Sequence, residues 1–284
     1  MALIQSVVLA GAGNLGSFFL EELTKSDFAV TVLSRPSSTS TFPPSVTVKH
    51  VDYSDETALI EAVKGADAVI STLSALDSQA NLVRAAKKAG IKLFVPSEFG
   101  NPTSKLGPKD HPALYGKTQA QELLKQLELP SIFVFSGPFL DWIFNPTARS
   151  ALVGKGETPI SFTARRDIAR FLIHHLSSLS SLPSPSSPTV LRIEGDRSTF
   201  KGAAELYQRL HPDSKLSYTH TSLEQADEAA KNVEGDFMGS LIAYLRASWE
   251  RGATVDEGEG EKVLSNAEWP EWKPLKLEEY FRSL

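Results

Sequence analysis

The sequence predicts an α/β chain built on a doubly wound parallel sheet with a smaller α/β lobe behind it, and three observations carry this. Over the first 136 residues, short apolar runs rich in β-branched residues alternate with amphipathic helical segments. That is the pattern of parallel strands covered on both faces. A glycine cluster, Gly11-Ala-Gly13-Asn-Leu-Gly16, falls between the first run and the first helical segment. Beyond about residue 140 the rhythm breaks into shorter elements.

Taken in order, Val7 to Ala10 is an apolar run ending in glycines, and Leu15 to Lys25 follows with apolar residues at helical spacing. Phe28 to Leu33 and Val46 to Val51 predict the second and third strands. Asp55 to Lys64 predicts a helix, with Ser54 as a candidate cap. Ala68 to Ser71 is a fourth strand, Gln79 to Ala89 a helix stopped by Gly90, and Leu93 to Val95 a fifth strand. A helix from about Ala113 to Leu127 leads into Ser131 to Phe135, the sixth strand.

In the second half, the Arg165-Arg-Asp167 turn precedes a predicted helix from Ile168 to Leu176, and the Ser- and Pro-rich stretch Ser177 to Pro188 predicts an exposed connector. Val190 to Ile193 and Lys215 to Thr219 predict strands, Ala203 to Leu210 and most of Leu223 to Phe237 helices, and the tail ends in a short helix. No internal repeat is present. The expected organisation is a nucleotide-binding domain over 1-150 and a smaller substrate-binding lobe over 151-284, packed on the first and exchanging segments with it.

Composition narrows the chemistry. The 284 residues are 41% hydrophobic and 22% charged, an ordinary globular balance. Lysine and arginine number 29 against 34 acids, with no basic stripe, which disfavours nucleic acid as a partner. The chain has no cysteine, so disulfides, thiolate metal sites and a thiol nucleophile are excluded. No apolar stretch reaches membrane-spanning length, and Met1 to Gln5 has no leader-like basic region, so the expected setting is cytoplasmic with no membrane partner.

The cluster Gly11 to Gly16 fits G-x-G-x-x-G between a strand and a helix. The first glycine permits the turn, the second lets a pyrophosphate approach the backbone, and the third lets helix and strand pack closely. Helix N–H groups and dipole then face the anion. This context predicts a Rossmann dinucleotide site, a ligand-free glycine turn being the other reading. Where an acid would hold the ribose of NAD, the chain has Ser34-Arg-Pro-Ser-Ser38. Arg35 can pair with a 2′-phosphate, with hydroxyl donors from Ser37 and Ser38, so NADP(H) is the preferred cofactor. A solvated surface arginine is the alternative.

Lys117 follows the fifth strand, within reach of a nicotinamide ribose and a substrate, where a desolvated amine can move a proton. An exposed helix lysine fits the spacing equally well. The Tyr-x-x-x-Lys pattern is absent, since Tyr115 lies only two residues before Lys117. Phe139, Trp142 and Phe144 form either a pocket wall or core. Asp52 could approach an adenine or cap a turn. His174 and His175 are adjacent on a helix, point apart and predict packing or surface roles, so no metal site is expected. Asp256-Glu-Gly-Glu-Gly-Glu261 predicts a mobile solvated loop.

Several of these segments together resemble the NmrA-like, isoflavone-reductase-like family of atypical short-chain dehydrogenases, in a fungal-type form. They are Gly11 to Gly16, Arg35, Ile70-Ser-Thr72, Gln79, Phe94-Val-Pro-Ser-Glu-Phe-Gly100, Lys117, Ser136 to Asp141, Pro159 to Thr163 with Arg166 to Ala169, and the Trp269-Pro tail. The resemblance covers most of the chain, and Pro-Ser-Glu-Phe-Gly with a following lysine is its most specific mark. It implies NADPH held by the glycine turn and Arg35, with the pyrophosphate over Asn14 and Leu15. It further implies that Thr72, Leu73, Ser74, Ser97 and Phe99 line the cofactor, that Lys117 is the catalytic lysine, and that Phe139 lies near nicotinamide and substrate.

Two departures bear on the substrate. The turn is Gly-Ala-Gly where the family commonly has Gly-x-Thr-Gly, and Gly137-Pro138 stands where plant reductases usually carry Asn. The implied activity is an NADPH-dependent reduction of a small aromatic or conjugated metabolite. The competing reading is an NADP(H)-binding redox sensor without turnover. Monomer and homodimer are both compatible with the sequence.

Overall fold

The computed structural model describes residues 2–144, 151–214 and 219–284. Five parallel strands form the central sheet: β1 (Ser6–Ala10), β2 (Ala29–Ser34), β3 (Thr47–His50), β4 (Ala68–Ser71) and β5 (Leu93–Val95), in the order β3-β2-β1-β4-β5. The helices between them are α1 (Gly16–Leu23), α2 (Glu56–Val63) and α3 (Leu76–Ala89), followed by α4 (Pro112–Gln126) after β5. The doubly wound α/β class is as expected.

The side chains explain why the strands read as continuous apolar runs. Val7, Leu9, Val32, Ile70 and Val95 pack on one face against Phe19 and Leu23 of α1, whereas Val8, Ala10, Leu33, Val69 and Phe94 pack on the other against α2, α3 and α4. Successive residues alternate faces, and both faces are core.

The sixth strand joins the sheet less fully than expected. β6 (Ile132–Phe135) touches it through single bridges at Phe94–Ser131 and Gly100–Phe135, and its continuous partner is β9 (Thr189–Arg192). The second half thus supplies the sheet's outer strand, and α6 (Arg165–Ser177) packs beside α1, with Ile168, Phe171 and Leu172 in the same core as Val7 and Leu9. Of the remaining elements, β7 (Ala151–Val153) pairs with β11 (Thr219–Thr221) and shares a small cluster with α8 (Leu223–Ala230) and α9 (Phe237–Glu250), and β10 (Asp196–Ser198) pairs with β8 (Ile160–Phe162), while a smaller core gathers α5 (Leu140–Ile143), β8, α7 (Phe200–Leu210), α9 and α10 (Leu277–Arg282). Its centre is Leu140, Phe144, Phe162, Tyr207, Trp249 and Phe281.

Local expectations are corrected at four places. Asp55, not Ser54, caps α2, its carboxylate accepting the Ala58 N–H at 2.9 Å, while Ser54 donates to Asp52. Arg165 to Asp167 are the first turn of α6 rather than a turn before it. The helix expected over Leu223 to Phe237 stops at Ala230, and a separate helix, α9, begins at Phe237, capped by Asp236. The acidic run is solvated only in part: Asp256 is 2% exposed and pairs with Arg197, and Glu257 pairs with Arg192 and Lys105, while Gly258 and Glu259 are exposed. Of the strand expected over Lys215 to Thr219, residues 215–218 lie outside the described residues, as does the expected domain boundary within 145–150. Among the described residues no helix is long and apolar enough to cross a membrane.

Asp67 fastens the amino end of the sheet. Its carboxylate accepts the N–H of Gln5 at 2.8 Å and of Ser6 at 3.0 Å, the Ser6 hydroxyl at 3.1 Å and Lys92 Nζ at 2.6 Å. Burial pushes its pKa up, but these donors outweigh burial and hold it at about 2, against 3.8 ordinarily. The gap corresponds to roughly 2 kcal/mol of stability, full above the unfolded value and lost as pH falls through the folded one. Asp67→Asn is therefore expected to unfold at lower urea at neutral pH, the difference from wild type shrinking between about pH 4 and pH 2. A pH-independent difference would contradict this.

Candidate cofactor and catalytic site

The site assembles at the carboxyl ends of β1, β2, β4 and β5, where the helices begin and ligands of open α/β sheets collect. At the glycine turn Gly11 has φ +86°, a left-handed conformation that favours glycine, and its N–H donates to Leu33 O at 3.2 Å. Thr72 braces the turn, its hydroxyl donating to Gly11 O at 2.8 Å, so that hydroxyl is committed to the protein. Leu73 lies against Gly11, and Ser74 is exposed beside them.

Gly16 is dictated by packing, because a Cβ there would drive into the Gly11 carbonyl and lie 2.7 Å from Thr72 Oγ1. Gly13 differs. A Cβ there would meet no atom of the described residues within 4 Å, so its bare backbone faces open space. Helix α1 starts at the buried Leu15 with no side-chain cap and no acid in its first turn, which leaves its positive end uncovered.

At the end of β2, Arg35 and Ser37 are exposed and Ser38 half-buried. The Arg35 guanidinium has no ion-pair partner among the described residues, while its carbonyl accepts the Ser38 N–H. Asp52 accepts from the Ser54 N–H at 2.8 Å and caps a turn.

The loop after β5 holds the lysine. The Gln79 side chain, buried after β4, accepts the Ser97 N–H at 2.7 Å and fixes where the loop begins. Phe99 follows with φ +30°, a strained backbone for a non-glycine residue that costs on the order of 1–3 kcal/mol. Its ring packs in the core against Phe19, the ring centroids 5.2 Å apart. Helix α4, capped by His111, brings Lys117 over this loop, and Lys117 Nζ donates to Glu98 O at 2.5 Å. Burial pushes the amine's pKa down, opposed by the negative charge of Glu98.

The aromatics separate. Phe144 is core, in contact with Phe162 and Phe281. Phe139 is partly buried at the start of α5, and Trp142 is 43% exposed on the same turn. His174 stacks on Trp269 at 4.0 Å and His175 meets Glu268, which are packing roles. No metal-binding group of acids and histidines occurs among the described residues.

Arg165 is absent from the residues expected at the site. Its guanidinium bonds the carbonyl and side chain of Asn14 and the carboxylate of Asp141 at 2.9 Å, and lies 4.8 Å from the Phe18 ring centroid. The glycine turn is thereby tied to α5. Two arginines opening a helix oppose its dipole, and that pattern was the available signal that partners elsewhere hold them. Arg166, the second, pairs with Glu21 of α1.

The model of the NmrA-like family matches residues 5–280. The chain belongs to the NmrA-like family. Oxidoreductase aprR of Aspergillus flavus is 40% identical over 148 residues, 49% of this chain and 50% of that protein. An isoflavone reductase homolog of Solanum tuberosum is 30% identical over 191 residues, 58% of this chain and 62% of that protein. The match of the NmrA-like chain therefore spans 50% to 62% of the length of these relatives. Leucoanthocyanidin reductase of Vitis vinifera, solved as a binary complex with NADPH, superposes with a TM-score of 0.81 at 21% identity, over 98% of each chain. At that identity the likeness is one of fold.

Proposed function

We propose that this NmrA-like protein is an NADPH-dependent oxidoreductase that reduces a small aromatic or conjugated metabolite, with Lys117 handling the proton. The observation that carries the reading is Lys117 itself: a desolvated amine anchored over the strained loop after β5, at the same sheet edge as the glycine turn. The names of the relatives support the reaction class.

The residues present fit a dinucleotide. Gly13 leaves open the space that a pyrophosphate would fill, the uncapped end of α1 offers N–H donors over Asn14 and Leu15, and Arg35 is an uncommitted cation at the ribose end. Thr72 holds the turn's shape, while Leu73, Ser74, Ser97 and the Phe99 backbone line the nucleotide. When bound, NADPH supplies the hydride. The protein's part is to orient the nucleotide, to present Phe139 and Trp142 as an apolar wall for the acceptor, and to deliver a proton from Lys117 Nζ as charge develops. In this reading residues 1–150 bind the nucleotide and 151–284 cover the substrate.

Titration calorimetry with NADPH and NADH tests the cofactor. Wild type is expected to prefer NADPH, and Arg35→Ala to weaken NADPH about 10- to 100-fold, the worth of one or two charge-assisted bonds, while leaving NADH nearly unchanged. Equal affinities for the two cofactors in wild type would overturn the assignment of Arg35. A screen of NADPH oxidation against enone and phenylpropanoid acceptors tests turnover. Tight NADPH binding with no turnover on any of them would favour a sensor.

A further inference from the structure

Glu98 is a carboxylate sealed in the protein, 1% exposed, with half of its acceptor capacity unused. Oε2 accepts the Thr103 hydroxyl at 2.8 Å, whereas Oε1 is buried with no partner among the described residues. The same residue's main-chain carbonyl accepts Lys117 Nζ, and the left-handed backbone of the next residue, Phe99, turns the loop there. Around this point the loop is bolted to the helix that carries the lysine. Thr118 Oγ1 donates to Thr103 O at 2.7 Å, and Gln121 Nε2 donates to Thr103 Oγ1 at 2.9 Å. Lys117, Thr118 and Gln121 lie on neighbouring turns of α4, so one buried carboxylate, one threonine and one amine are locked into a single arrangement.

A buried carboxylate oxygen without a partner is disfavoured unless a charge nearby compensates it. The positive charge held on this same residue is Lys117, whose amine bonds the Glu98 main-chain carbonyl rather than its carboxylate. We propose that Glu98 is the positioning residue of Lys117: its carbonyl aims the amine, and its carboxylate, anchored by Thr103, supplies the negative charge that keeps the amine protonated until the substrate takes the proton. The proposal rests on Lys117 being the proton donor. The proton leaves Lys117 Nζ for the acceptor atom, and the neutral amine recovers a proton from water. Burial and Glu98 act on the amine in opposite directions.

The test reads Lys117 directly. In protein labelled with 15N-lysine, the Nζ resonance is assigned with Lys117→Ala and titrated across the alkaline range. Glu98→Gln keeps an oxygen to accept from Thr103 but removes the charge. It is expected to lower the Lys117 midpoint by about one pH unit or more, a tenfold loss of proton affinity, with Glu98→Asp restoring most of it. The alkaline limb of kcat is expected to move with it while KM stays within about twofold. An unmoved midpoint in a folded Glu98→Gln protein overturns the proposal. Should that variant fail to fold, Thr103→Val, which frees the carboxylate from its anchor, is expected to lower the midpoint by a smaller amount, and no change there overturns it equally. Turnover that survives Lys117→Ala would instead remove the functional reading beneath it, a result distinguishable because the titration needs no substrate.

Discussion

Lys117→Ala is expected to lower NADPH-dependent turnover by about 10²- to 10⁴-fold, the usual worth of a positioned proton donor, while the Kd for NADPH changes less than about threefold. The two readouts separate because the amine bonds the Glu98 carbonyl in the protein, whereas the nucleotide is assigned to the glycine turn and Arg35. Lys117→Arg should not rescue. Its guanidinium stays charged at all working pH values and cannot give up the proton. Single-turnover measurement of NADPH oxidation with an acceptor found in the screen gives the rate of the chemical step. An alanine variant that turns over as fast as wild type would leave the lysine as a helix residue and no more.

Gly16→Ala is expected to damage fold and cofactor binding together. The new methyl would press on the Gly11 carbonyl and on Thr72 Oγ1, both parts of the braced turn rather than the free end of a flexible side chain. Relief requires the turn to move. A loss of about 1–3 kcal/mol follows by the usual scale of overpacking, with a fall of several degrees in Tm. NADPH affinity should drop by about 100-fold or more as the turn leaves its binding shape. Gly13→Ala is the informative contrast. A methyl there meets no protein atom, so stability should stay within about 0.5 kcal/mol of wild type, yet the methyl fills the space assigned to the pyrophosphate and NADPH should be lost. Equal NADPH affinity in Gly13→Ala and wild type would remove the pyrophosphate from this turn.

Much of the architecture was legible because burial on both faces leaves a plain trace. Val7-Val-Leu-Ala10 cannot alternate apolar with polar when Val7 and Leu9 meet one layer of helices and Val8 and Ala10 the other. The glycine motif was legible through spacing, since its first and third members answer to local demands, a positive φ and a close helix approach. Other features were not. The stop at Ala230 and the restart at Phe237 turn on Asp236 capping the second helix, a hydrogen bond that propensity alone does not reveal. The acidic run after Asp256 read as solvated, because its partners Arg197, Arg192 and Lys105 lie 59, 65 and 152 residues away in sequence. Phe99 sat within a specific motif, yet its ring belongs to the core, and only the backbone strain at that residue bears on the site.

By itself the sequence determined the class of the sheet, the position of the glycine turn, the absence of thiol chemistry and the candidacy of Arg35 and Lys117. These follow from period, composition and short-range spacing, which act over a few residues. Only the tertiary structure decided that the second half supplies the strand beside β6 and the helix beside α1, that Arg165 ties Asn14 to Asp141, and that Glu98 takes Lys117 on its carbonyl and Thr103 on its carboxylate. The physical reason is common to all three. Each depends on groups from different elements or loops, 5 to 151 residues apart, meeting at a few ångströms, where burial and charge set what a side chain can do, and no helix or strand period records that meeting.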